Sequence, residues 1–152
     1  MTATDTHTST ATNDTVYTVA RLPDWTLRLD ALVRARLLLP FEWGGNDCFS
    51  WVADCAQAMT GTDVLAVLRG PRRTWQGAYK QHARYPGGLP SAMMRAGLQR
   101  VDPRLARRGD AVLIELPPFG LLAVCNGEVA LAPGPQGLAT VPMERALCGW
   151  RV

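Results

Sequence analysis

Apolar positions recur at helical spacing in the first half of the chain and alternate with polar ones in the second. Trp25, Leu29, Leu32, Val33 and Arg36 share one face of a segment running from Trp25 to about Arg36. Asp24 stands where a helix cap is expected, and Pro40 ends the segment. Cys48, Val52, Cys55 and Met59 line one face of a second helix, predicted from Asp47 to near Thr60-Gly61. Asn46 or Asp47 suits its N-cap, and Gly61 its left-handed C-terminal position. A third helix is predicted over Thr74–Arg84 and a short fourth over Ser91–Ala96. After Pro103 the period shortens. Ala111–Leu116, Leu121–Asn126, Glu128–Leu131 and Leu138–Val141 read as strands between Pro/Gly turns, with Trp150-Arg151-Val152 closing the sheet. Helices first and an antiparallel sheet second is the α+β arrangement.

Composition changes this picture at the N-terminus. Residues 1–16 are almost all Thr, Ser, Ala, Asp and Asn, which predicts a flexible arm over residues 1–20 and one domain over residues 21–152. The domain's apolar content, 47% for the chain, is that of an ordinary globular core. No apolar run is long enough to cross a bilayer, and no signal peptide is expected, since the N-terminus shows no basic start followed by an apolar stretch. Net charge is +3, with Lys80 the sole lysine and the arginines scattered along the chain. A nucleic-acid binder would gather them on one face, so no nucleic-acid partner is expected. The arginine excess reads as a coding or solubility trait.

Cys48, Cys55, Cys125 and Cys148 form no CxxC pair, so neither a metal nor a cofactor is expected. In a reducing compartment they are free thiols. Cys55, Met59 and Cys125 read as core, as do Trp43, Trp51, Trp75 and Trp150. Arg108-Gly109-Asp110 spells an adhesion tripeptide, but a turn into a strand explains it.

The stretch with chemistry in it is Phe41-Glu42-Trp43-Gly44-Gly45-Asn46-Asp47-Cys48. It sets a cysteine in the first turn of a helix, behind a glycine-rich loop. Partial positive charge and free N–H groups at a helix start favour a thiolate and offer oxyanion donors. Glycines let a substrate backbone come close. Asp47 caps the helix well, but its charge opposes a thiolate.

This stretch, with its aromatic-x-Trp-Gly-Gly and Asp-Cys followed by an apolar helix closing on glycine, resembles the nucleophile segment of NlpC-type, papain-like cysteine peptidases. Arg107–Leu113, with its Gly109-Asp110, resembles the point where that family's sheet begins. The likeness spans roughly Leu27 to Gly127, and the Trp25 helix, the Phe41–Cys48 turn and the terminal Trp150-Arg151-Val152 also look like a divergent branch found in phages and prophages. It implies a papain-like fold, with N-terminal helices packed on a C-terminal antiparallel sheet. It also implies Cys48 at the nucleophile position, with Trp43, Gly44, Gly45 and Asp47 around it as binding residues.

One departure decides the functional expectation. The family opens its second strand with a histidine base, and here Leu121 holds that position. Leucine cannot take a proton, and a thiol needs a base or a lowered pKa. His7 falls in the arm and His82 in the third helix, away from the expected place. Phe49-Ser50 replaces the small residues that usually follow the nucleophile, and Phe49 is bulky enough to fill part of a groove. Asp54 and Glu115 are polar groups that a groove could use. The expected function is therefore a catalytically degenerate domain in a phage or prophage tail tip. Its partners would be other tail-tip proteins, and it would pass from bacterial cytoplasm to virion tail. The alternative is an active endopeptidase or amidase on peptidoglycan peptides with Cys48 as nucleophile. A third reading is a cytosolic module that uses the old groove to bind a peptide.

Overall fold

The computed structural model describes residues 20–83, 88–116 and 120–152. It is α+β: four α-helices, α1 (Trp25–Arg36), α2 (Cys48–Thr60), α3 (Trp75–Ala83) and α4 (Gly88–Arg95), precede or flank a six-stranded sheet. The strands are β1 (Gln99–Val101), β2 (Ala111–Ile114), β3 (Leu121–Cys125), β4 (Val129–Gly134), β5 (Gly137–Pro142) and β6 (Ala146–Arg151). All neighbours run antiparallel in the order β1-β6-β2-β3-β4-β5. The last strand thus inserts between the first two instead of adding to an edge.

Helix α2 is the centre of the fold. Trp51, Val52, Cys55, Ala56 and Met59 are buried along it and pack against Leu122, Val124, Leu131 and Trp150 of the sheet. The Trp51 indole N–H donates to the Leu131 carbonyl at 2.9 Å, tying the helix to β4. The opposite sheet face buries Val112, Ile114, Ala123, Cys125, Ala130 and Ala132 beneath Ala106, Val141 and Met143.

Four sequence expectations change. Asp24 makes no cap bond; it accepts instead from Arg28 one turn on, at 2.9 Å. The strand Gln99–Val101 was not expected, because three residues carry no readable alternation. Trp75 is 39% exposed rather than core. The arginines are not a surface trait alone: Arg72 is 2% exposed, and Arg21 reaches inward to Val152, Arg108 and Asp110. His7, most of the expected arm, Arg84 and the side chain of His82 lie outside the described residues. No helix among the described residues is long and apolar enough to cross a membrane.

Candidate functional site

The turn before α2 is closed by its own polar groups. Glu42 and Asn46 exchange backbone hydrogen bonds at 3.2 and 2.8 Å, which brings Trp43, Gly44 and Gly45 to the tip. The buried Asn46 amide donates to the Leu39 and Pro40 carbonyls and accepts from Arg36. Trp43 is half-buried, edge-on against Phe41 with ring centroids 4.8 Å apart.

Asp47, not Asn46, caps α2. Its carboxylate accepts from the Ser50 amide at 2.8 Å and the Gly44 amide at 2.9 Å. It also accepts from Arg72, through Nε and Nη2, both at 3.1 Å. Both side chains are almost wholly buried, so this is a desolvated, two-pronged ion pair. Burial pushes the Asp47 carboxyl up; the guanidinium and the two amides outweigh it and hold the group below the ordinary carboxylate value. Arg72 also donates to the Leu68 carbonyl, Gln81 and Ser50, and lies 4.8 Å over the Phe49 ring.

Cys48 follows at the first position of α2, 6% exposed. Burial pushes its thiol up to about 12. A hydrogen bond from the Leu122 backbone acts the other way, the Asp47 charge adds to the rise, and the Arg72 charge opposes it. The helix start therefore does not produce the thiolate that the sequence pattern favours. Its positive end is spent on Asp47, and desolvation dominates.

The structure brings together Trp43, Gly44, Gly45, Asp47 and Cys48 as one turn. Leu121 opens β3, half-buried and in touch with both core clusters. Strand alternation sends its neighbour Leu122 to the α2 face, where Leu122 packs in the same cluster as Cys48. Asp54 is elsewhere, bridging Arg36 and Arg69 on the outer side of α2, and Glu115 is exposed at the end of β2. Gly109-Asp110 does open the sheet. Asp110 is buried and accepts from the backbone amides of Arg107 and Val152 and from Arg21. Cys55, Cys125 and Cys148 are buried free thiols. Among the described residues, no three His, Cys, Asp or Glu side chains gather where they could hold a metal ion.

The residue that sequence reasoning missed is Arg72. The arginines read together as a coding or solubility trait, which singles out none of them. The only available signal was an acidic cap on a buried helix start, which needs a cation from elsewhere in the chain.

The family model Domain of unknown function (DUF6950) matches residues 20–152. The chain belongs to this family. The matched span includes the Cys48 turn, Arg72 and the whole sheet, so the family's domain and the described fold coincide. No curated protein matches the chain.

Proposed function

We propose that this DUF6950 chain is a catalytically degenerate, papain-like relative of the NlpC-type cysteine peptidases, serving as a structural component of a phage or prophage tail tip. The observation that carries the loss of catalysis is the state of Cys48. Its thiol is buried, and that burial pushes it up to about 12. A nucleophile needs the opposite: exposure, a lowered pKa and a base within reach. Leucines at 121 and 122 supply no base. The element order supports the kinship, because a helix with cysteine in its first turn packs on antiparallel strands that follow it. The tail setting comes from the resemblance of the Trp25 helix, the Phe41–Cys48 turn and the terminal Trp150-Arg151-Val152 to the phage and prophage branch. In that setting the chain is made in the bacterial cytoplasm and joins other tail-tip proteins in the virion.

The test is the pH dependence of Cys48 alkylation by iodoacetamide, read residue by residue by mass spectrometry. Labelling only on unfolding, or with a midpoint above the free-thiol value of about 8.5, is expected. A midpoint well below that value would return the chain to the active class, and peptidoglycan peptides would then be the substrates to try. The tail role is checked separately by peptide mapping of purified particles from the phage or lysogen that encodes the chain. Its absence from intact tails would sink that role.

A further inference from the structure

A glycine is required at position 44 for a reason the sequence does not give. Gly44 has φ +81°, and a Cβ there would stand 2.9 Å from the Arg72 carbonyl oxygen. The space where a Gly44 side chain would stand is thus taken by the Arg72 backbone, while Gly44 and Gly45 themselves stay exposed. The segment responsible, residues 70–73, has no helix or strand of its own and links a 3-10 turn (Ala66–Leu68) to α3. It is pinched by one backbone bond, Arg72 N–H to the Gly70 carbonyl at 2.9 Å.

Pro71 and Arg73 on either side are exposed, while Arg72 between them is buried. Arg72 reaches into Asp47 and Ser50 across Phe49. Gln81 of α3 holds the segment from behind: its amide donates to the Arg69 carbonyl and its oxygen accepts from Arg72. A surface segment fixed by one buried anchor in one socket is a strap.

We infer that residues 70–73 are a built-in strap against the Gly44 side of the Cys48 turn, with Arg72 as its anchor and Asp47 as its socket, and that anything reaching the socket must displace it. Asp47 is buried, so displacement leaves an unpaired carboxylate unless the incoming segment supplies a cation. The chemistry that fits the socket is a second guanidinium, such as an arginine of a partner chain. The inference does not depend on the tail-tip reading, and the strap could fail its test with the Cys48 midpoint unchanged.

The experiment compares native-state alkylation of Cys48 and Cys55 in the full chain and in Arg72→Ala. Cys55, in the same helix and 1% exposed, reports general opening. Cys55 labelling follows the loss of global stability; Cys48 labelling is expected to rise about tenfold beyond it through local opening, and millimolar methylguanidinium should return that excess toward the wild-type level. If Cys48 and Cys55 rise by the same factor, if neither rises in a folded variant, or if methylguanidinium has no effect, the strap is overturned. Should Arg72→Ala not fold, Gln81→Ala decides on the two alkylation rates. A selective rise at Cys48 of about threefold is expected, and its absence overturns the strap.

Discussion

At the scale of single residues, the site is organised by Asp47 and Arg72 rather than by Cys48. A carboxylate taken out of water must be matched closely, and here two guanidinium nitrogens and two backbone amides match it. Removing one partner strands the other. Arg72→Ala is therefore expected to cost about 3–5 kcal/mol in urea unfolding. The Asp47→Asn, Arg72→Ala double variant should cost less than the sum of the two single changes, because it strands no charge. Additive losses would mean that the two side chains do not act as a pair. The same coupling sets a direction with acid. The folded Asp47 carboxyl lies below its unfolded value, so its contribution is present above the unfolded carboxylate range and is lost as pH falls through the folded value. Asp47 was legible in the sequence as a cap, and Cys48 as a helix-start cysteine. Arg72 was not, because its partner lies 25 positions away and nothing local marks an arginine as buried.

At the scale of elements, the sequence was most informative where one periodicity runs for three turns. Helix α1 lies on its predicted residues, and α2 begins one residue after the predicted start, with Asp47 as its cap and Gly61 in the left-handed conformation. Strands were legible where alternation meets Pro/Gly turns, but their ends moved. β4 runs on to Gly134 and β6 begins at Ala146, since pairing with a neighbour, not side-chain pattern, extends a strand. The place of β6 between β1 and β2 could not be read at all, because strand order is a long-range choice. Packing of α2 on the sheet rests on Trp51. Trp51→Phe removes the N–H that the Leu131 carbonyl accepts and leaves a gap in a fully buried place. A loss of about 2–3 kcal/mol is expected in chemical denaturation. Leu38→Ala, at a side chain 82% exposed, should stay within about 0.5 kcal/mol. Equal effects would mean that α2 is not the element on which the fold is built.

At the scale of the molecule, two features act over the whole chain. The first is Arg21, whose side chain donates to the Val152 carbonyl, the Arg108 carbonyl and Asp110, at 2.7, 2.8 and 3.1 Å. It joins the start of the described chain to its last residue and to the turn that opens β2. Arg21→Ala is expected to lower stability by about 2 kcal/mol. The second is the shared direction of the thiols. Burial raises Cys48 to about 12, Cys55 well above its ordinary value, and Cys125 and Cys148 as well. In the unfolded chain each ionises near 8.5. Above that pH the unfolded state sheds protons that the folded state keeps, so folding loses free energy as pH rises toward the folded values. A catalytic thiolate would give the opposite sign, because its folded pKa would lie below the unfolded one. Urea unfolding under reducing conditions, from about pH 7.5 to 10.5, should show stability level at first and then falling. Cys48→Ala should reduce the fall by about 1.4 kcal/mol per pH unit in the upper part of that range, one proton's share. An unchanged slope would mean that Cys48 stays protonated or ionised equally in both states. A steeper one would mean that the folded protein holds it as a thiolate, and the degenerate reading of the site would fall with it.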